Sequence, residues 1–493
     1  MKKILLTASL CFISGLLMSQ NETDALRYSA TDVVGTARYQ GLGGAFTALG
    51  VDMTTAATNP AGIAGNRSSQ FQFSPAFFGN SASSNLNGNI TSDFKLNVNV
   101  GSWGFIGTFP NKWNRNKDAN KGFQSFSIGI TYTRMGNFHQ NLFAENTAST
   151  SSLLDSYTEK LNAGSGTTED ALTNSSEFLF RENLAYQTYL LNPDSMEANK
   201  YTSVVQQPGN TQTLRIENYG RIGETNLSFG GNLANKLYLG FGFGISRIRY
   251  TSKSSYSEAD AKKTYSGFDN FTLSDNVRTQ GTGYNLKAGI IYHPIDWFRV
   301  GASVISPTFY QLSDNYSTSL FSNLDSAAYQ YDSPSGTYNY SLFTAPRFNG
   351  GLAFIIGKFG LISADYEFIY YTTSRFTANS DYSFSTENQN TQNFLRPIGN
   401  IRVGTEWKIQ NMSIRGGAVL FGNPYKAATN YFNRMNYSLG IGYRGKHFFW
   451  DLTYVYGIST SDRALYELNN GNGPTASIKN TTGNAIATFG IKF

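Results

Sequence analysis

Three histidines, His139, His293 and His447, and one cysteine, Cys11, are the side chains of this 493-residue chain best suited to act as a neutral-pH base, a soft metal ligand or a thiolate. Brought together, the histidines could hold a metal, ligate haem or serve a hydrolase as its base. Cys11 is removed from consideration first. It lies in the apolar run Ile4–Met18, behind Lys2 and Lys3 and before Ser19-Gln20. That is the layout of an export signal cleaved near Ser19/Gln20, so residues 1–20 are assigned to a signal peptide. Leu10 is too large for a lipoprotein cleavage site, and the mature chain then carries neither cysteine nor disulfide. Whether the histidines can meet depends on the elements that carry them.

Those elements are strands. Leu237–Ile245, LYLGFGFGI, sets Leu237, Leu239, Phe241, Phe243 and Ile245 against Tyr238 and three glycines. Ile401–Ile409, Tyr437–Arg444 and Phe448–Tyr456 alternate in the same way. The C-terminal NAIATFGIKF puts Ala485, Ala487, Phe489, Ile491 and Phe493 on one side and Asn484, Thr488, Gly490 and Lys492 on the other, with Ile486 as the exception. About fourteen such segments are read, at 69–79, 93–108, 122–139, 222–232, 236–251, 279–293, 297–313, 342–357, 359–375, 396–409, 411–423, 432–445, 447–460 and 482–493. Each is near or above the length that crosses a bilayer with tilt. From the fourth onward, short turns (Leu233-Ala234-Asn235, Pro294-Ile295-Asp296, Lys358, Gln410, Lys446) alternate with long polar loops (about 252–278, 314–341, 376–395, 424–431, 461–481). A soluble sandwich or propeller has no reason to keep every long loop on one parity. An outer-membrane barrel does, with short turns periplasmic and long loops outside. Composition agrees: 31 Tyr, 37 Phe and 49 Gly with no apolar run long enough for a spanning helix after the signal. The net charge of +6 is spread along the chain, so no nucleic-acid surface is expected.

The expected fold is therefore all-β: a transmembrane antiparallel barrel of about fourteen strands over residues 69–493. Parity puts His139 at the extracellular end and His293 and His447 near periplasmic turns, so they cannot form one metal site or dyad. This excludes a barrel hydrolase with a His base and weakens His-ligated haem, although Tyr ligation stays open. No metal or cofactor is expected. Inward charges, among them Lys287, Arg299, Asp365, Glu367, Arg402, Glu406, Arg415, Arg444 and Asp451, are read as a bracing network rather than an ion-selective lining. The inward glycines of Leu237–Ile245 leave room for a plug or a ligand. The long-turn exception is about 109–121.

Two segments stand apart. About 140–221 is an extracellular insertion with apolar residues at helical spacing: Leu153, Leu154, Tyr157, Leu161, then Phe178, Leu179, Leu184 and Tyr189 after a helix start at Thr168. It either captures a greasy ligand or packs on its neighbours. Residues 21–68 are small, Gly- and Ala-rich and too apolar for a free tail, which suits a short hatch inside the lumen. Within it Asn59-Pro60-Ala61-Gly62 is on physical grounds a turn. Such a segment, with DALRYS, GTARYQGLGGAFTALG and Asn-Pro-Ala-Gly ahead of a barrel of about fourteen strands ending in Phe, resembles the FadL/OmpP1/TodX family of hydrophobic-compound transporters. The likeness is to its Bacteroidetes branch, some members of which carry the label hemin receptor. It is specific over about 24–75 and architectural elsewhere.

The resemblance implies a hatch motif at Asn59, Pro60, Ala61 and Gly62, and loop helices forming a low-affinity groove. It also implies a kinked third strand, for which Gly129 and Gly136 are available. Expected ligand contacts are Leu42, Phe46 and Leu49 in the hatch and Phe178, Leu179, Leu184 and Tyr189 outside. The expected function is passive uptake of hydrophobic compounds, long-chain fatty acids foremost, by a monomer in the outer membrane of a Gram-negative bacterium. Outer-membrane lipid surrounds it, and the strand ending at Phe493 is the expected signal for the barrel-assembly machinery. A haem receptor and a general porin or structural protein are the alternatives.

Overall fold

A computed structural model describes residues 21–30, 32–111, 121–173, 179–205, 209–263, 267–378, 383–427, 433–469, 471 and 473–493. Its strands begin with β1 (Gln70–Leu86) and β2 (Asn89–Pro110), joined by Asn87-Gly88 with φ of 52° and 88°. Both central residues on the left-handed side is the tight hairpin turn that Asn-Gly favours. The strands therefore run on through the polar stretch 80–92, which the alternation alone assigns to a loop. There follow β3 (Phe123–Asn137, resuming as Gln140–Asn146), β4 (Thr211–Leu233), β5 (Leu237–Ala259), β6 (Asn270–Ile295) and β7 (Phe298–Ile305 and Phe309–Asn323). Then come β8 (Gly336–Phe343 and Arg347–Ile356), β9 (Gly360–Ile369 and Arg375–Ala378), β10 (Ile398–Ile409) and β11 (Met412–Phe421). The last three are β12 (Asn433–Arg444), β13 (Phe448–Ala464) and β14 (Thr475–Lys492). Each pairs antiparallel with the next, and β14 pairs with β1 from Gln70↔Lys492 to Asn85↔Ser477. The result is a closed 14-strand antiparallel barrel. The Phe493 N–H donates to the Ser69 carbonyl at 3.0 Å, and its ring stacks on Phe105 at 5.8 Å.

The outer face is apolar and exposed: Leu439 is 73% exposed, Phe94 57% and Leu452 47%. Such a surface suits lipid rather than water. No helix among the described residues is long and apolar enough to cross a membrane, so strands do the crossing. Short connections at 234–236, 296–297, 357–359, 410–411 and 445–447 lie at one end of the barrel. The long loops lie at the other. β4, β5 and β6 overshoot the expected strand ends at this long-loop end, reaching Thr211, Ala259 and Asn270. The long connection between β2 and β3 falls mostly outside the described residues.

Across the long-loop end lies the insertion. It holds α4 (Leu153–Leu161), α5 (Glu169–Thr173), α6 (Phe180–Gln187) and a two-stranded sheet, Leu191–Pro193 with Tyr201–Ser203. α4 starts with a capping box: Ser152 Oγ accepts from the Leu154 N–H at 3.1 Å, and Asp155 accepts from the Ser152 N–H at 2.8 Å. Thr168 Oγ1 accepts from the Ala171 N–H in the first turn of α5. Leu153, Leu154, Tyr157, Leu161, Leu172 and Leu184 share one buried core with Leu86, Leu214, Tyr256, Phe271, Leu320 and Ile478 from six different barrel strands. This core forms a cap over the lumen.

Candidate functional site

The segment ahead of β1 lies inside the barrel. It contains α1 (Glu22–Ser29), α2 (Ala37–Gly41), α3 (Thr55–Thr58) and a 3-10 turn, Pro60–Gly65. Asn21 caps α1 by accepting from the Thr23 and Asp24 N–H groups. Thr36 caps α2 and donates to Asp52, which also accepts from the Thr54 N–H at 2.9 Å. Burial pushes the Asp52 carboxyl up, while the nearby Arg38 guanidinium and these bonds hold it down.

Wall side chains then pin this segment, strand by strand. Thr453 Oγ1 donates to the Ala37 carbonyl at 2.7 Å, and the Ala37 N–H donates to Thr488 Oγ1 at 2.8 Å. Ser303 donates to Thr58, and Arg299 to Leu49. The Thr47 N–H donates to Asp365 at 2.8 Å. Arg38 reaches Glu406 at 2.9 Å, and Glu406 also takes Arg415 at 2.6 Å, which continues to Asp451 at 2.7 Å. The inward charges thus form a bracing network, and one of its members belongs to the interior segment. A buried charge left without its partner is costly, so the chain of pairs specifies where Arg38 must sit.

Asn59-Pro60-Ala61-Gly62 is the most tightly held part. Asn59 is fully buried; its Nδ2 donates to the Thr47 carbonyl at 2.7 Å, and its Oδ1 accepts from the Ala61 N–H at 3.1 Å. The wall there is glycine. A Cβ on Gly289 would lie 1.9 Å from Asn59 Oδ1, and one on Gly240 would lie 2.1 Å from the Ala61 nitrogen. The room left by the inward glycines of β5 is thus filled by the segment itself at Gly240 and by Asn285 and Lys287 of the wall at Gly244. Ile486, the apolar exception on the polar face of β14, is fully buried against Ala37 and Ala76.

Leu42, Phe46 and Leu49, the expected ligand contacts of the interior segment, pack against the wall here. Leu42 and Phe46 are 0% exposed, packed with Tyr39 against Ala353, Leu361 and Val419 of the wall. They offer a ligand no surface. In the cap, Leu184 is also buried in the core, Leu179 packs partly against it, and Tyr189 is exposed beside Tyr329 at 4.7 Å. Phe178 lies outside the described residues.

The feature that sequence reasoning located least well is a seam in the wall. β2 pairs with β3 only from Ser102↔Thr133 to Pro110↔Ser125. Toward the long loops, β2 keeps only β1, and β3 keeps only β4. The cause is a kink. The β3–β4 register shifts between Arg134 and Gly136, and β3 breaks at Phe138-His139. Opposite it, Gly220 has φ of 130°, and a Cβ there would lie 2.0 Å from the Arg249 carbonyl, so only glycine fits. The Gly220 carbonyl accepts from the Phe138 N–H at 3.2 Å and from Arg134 at 3.2 Å. The Met135 carbonyl, freed by the kink, accepts from the Asp32 N–H of the interior segment at 3.0 Å. Side chains bridge the seam: Asn97 to His139 at 3.1 Å, Asn89 to the Glu145 carbonyl at 3.1 Å and Asn141 to Asp93 at 3.5 Å.

A cavity lies on each side. Outside is a concavity of about 1240 Å³, walled by Phe71, Phe73, Val98, Val100, Trp103 and Tyr132. Inside is a lumenal cavity of about 480 Å³, lined by Val33, Val34, Ala76, Phe78 and Phe138 together with Arg27, Arg134, Arg434 and Arg463. Asn99, Arg134, His139 and Tyr250 belong to both linings. His139 is thus a seam residue, and His293, beside Tyr238 at 4.8 Å, lies at the opposite end.

The arrangement is that of a membrane barrel with a filled lumen and an unpaired seam between β2 and β3. No protein-family model matches the chain, and no curated protein matches it. Its fold is shared by the crystal structure of a Pseudomonas aeruginosa FadL homologue, with a TM-score of 0.55 and 12% identity over 93% of this chain and 99% of that one. The P. putida toluene transporter TodX has the same architecture, with a TM-score of 0.53 and 12% identity over 94% of this chain and 99% of that chain.

Proposed function

We propose that the protein is an outer-membrane channel through which hydrophobic compounds pass without energy input, with residues 21–68 as its hatch. The observation that carries this reading is the seam. The lumenal and outer cavities share Asn99, Arg134 and His139 along the stretch where β2 and β3 exchange no backbone bonds, together with Tyr250 of β5. A ligand moving between them displaces side chains rather than a ladder. The fold shared with proteins named as a FadL homologue and a toluene transporter supports it further.

Among hydrophobic compounds, the reading favours long-chain fatty acids. The lumenal lining pairs apolar side chains with four arginines. Arg27 and Arg434 already have Asp24 and Asp32. Arg134 and Arg463 have no carboxylate partner among the described residues, which suits an amphiphile with an anionic head over a neutral hydrocarbon. Capture begins at the cap, where Leu179 and Tyr189 are the remaining candidate contacts. The ligand then enters the lumenal cavity and leaves through the seam, and the Asp32–Met135 bond ties hatch movement to the kink.

A cysteine pair across the seam tests this. The only native cysteine is Cys11, ahead of the described residues, so an N97C/H139C double variant carries a single thiol pair across the seam, which a short bis-methanethiosulfonate links through two reducible disulfides. Fatty-acid uptake into vesicles holding the protein is expected to fall on cross-linking and recover with reductant. Equal uptake in the linked and reduced states would remove the seam from the route.

A further inference from the structure

The outer face of β4, β5 and β6 changes character abruptly at the long-loop end. On its membrane side it presents Leu227, Phe241, Phe243, Ile245, Tyr284 and Leu286, with the Phe243 and Tyr284 rings 6.1 Å apart. One step further along the register it presents arginine. Arg247 lies between Gly223 and Thr282, Arg221 lies directly opposite Arg249, and Arg278 lies opposite Thr251. All four are exposed, and none has a carboxylate within ion-pair distance among the described residues. Glu217 is the only carboxylate of β4–β6 on this face, and it is engaged by Lys95.

Directly opposed residues on neighbouring strands hold their Cβ atoms about 4.5–5.5 Å apart, so like charges there repel. Four exposed guanidinium forks at the edge of an apolar belt, with no internal counter-charge and only Gln280 beside Arg278, are complementary to an anion from outside. A carboxylate-bearing side chain is not supplied by the fold, and lysine is not the residue used for this quartet. The guanidinium fork matches the oxygens of a phosphate bidentately. The height fixes the source: acyl chains would lie along Leu227, Phe241 and Leu286, and the head group would lie at the arginines.

We infer that Arg221, Arg247, Arg249 and Arg278 form a docking surface for the phosphorylated head group of an outer-leaflet glycolipid of the lipid A type. This rests on the outer-membrane reading above, because that leaflet is where such a lipid faces the long-loop end. One glycolipid would sit beside the seam, since Arg221, Arg249 and Arg278 also border the outer concavity.

The test is native mass spectrometry of the full-length protein in detergent, titrated with diphosphoryl lipid A, its dephosphorylated form, or inorganic phosphate. A one-to-one complex with diphosphoryl lipid A is expected, with binding about tenfold weaker or more in an R221Q/R249Q/R278Q variant, given two or more lost charge-assisted forks. Equal binding by that variant, or equal binding of the dephosphorylated lipid, overturns the proposal. Displacement of the lipid by equimolar phosphate would show an anion site without lipid specificity and also overturns it. Folding of the variant is checked by heat-modifiable mobility; where it fails, R249Q alone, central in the quartet, must lower binding severalfold. No transported ligand enters this measurement, so its failure is distinct from failure of the fatty-acid reading.

Discussion

Residues 21–68 and the cap between β3 and β4 both lie across the lumen, but they are held there by different forces. The hatch has few large side chains and is fixed by directional bonds from many strands, Thr453, Ser303, Asp365 and Glu406 among them. Its fit depends on glycines such as Gly289 and Gly240, which let backbone approach backbone. The cap also has bonds to the wall, Leu153 N–H to Glu258, Arg181 to Asp275 and Ser322 to the Thr188 carbonyl among them, but it rests chiefly on a broad apolar core around Leu154, Tyr157 and Phe271. Burial is non-directional and tolerates sliding, whereas a hydrogen-bonded fit has one register. A mobile capture surface suits the first, and a seal that opens as a unit suits the second.

Removing the hatch gives the largest expected effect. Deleting residues 21–65 leaves every barrel ladder intact, because β1 starts at Gln70. The barrel is expected to insert and to show steady conductance in a planar bilayer where the full chain is closed. A closed deletion variant would assign the seal to the cap instead. Next, R38A removes one of the two guanidinium partners of Glu406, which keeps Arg415, while Asp451 keeps Arg415 and Arg444. Leaving a buried charge bare costs about 3–5 kcal/mol and Glu406 keeps Arg415, so the loss is below that figure; more frequent channel openings and faster proteolysis of the hatch are expected, with the cap unaffected. L154A makes the converse comparison. It removes a fully buried side chain from the cap core, at about 2–5 kcal/mol of local stability. Hydrogen exchange is expected to rise in α4 and α6 while the bilayer record stays closed. Openings as frequent as those of R38A would show that the two closures are one.

The barrel was legible in the sequence because a strand that faces lipid writes its alternation in Leu, Phe and Ile, and because the short turns fall on one parity. Its failures have specific causes. The β1–β2 hairpin continues through 80–92, where Leu86 and Ile90 are the only large apolar residues, so alternation is weak and only Asn87-Gly88 marks the turn. Leu42 and Phe46 were legible as apolar residues of a plug, but their packing on Ala353 and Val419 was not, because those partners lie more than three hundred residues away in the chain. The inward charges and the β5 glycines were legible as features of the wall, but their hatch partners were not. The seam was least legible, since it is an absence of pairing between β2 and β3, and Gly136 is one strand glycine among many. Gly220, whose positive φ supports the kink, carries no signal that separates it from its neighbours.

The smallest effect sharpens the comparison at its finest point. The cap also contains an ion pair, Lys160 on α4 with Glu182 on α6 at 2.9 Å, but Lys160 is 29% exposed where Arg38 is 17% and its partner Glu406 2%. Water and salt screen the first pair and not the second. K160A is therefore expected to cost about 0.2–1 kcal/mol, a small rise in exchange at the α4–α6 contact that vanishes at high salt. The R38A defect should persist in that same salt, because Arg38 meets Glu406 inside the hatch-filled lumen. If salt erased both defects alike, the hatch pair would behave as a surface pair, and the directional seal would lose its physical basis.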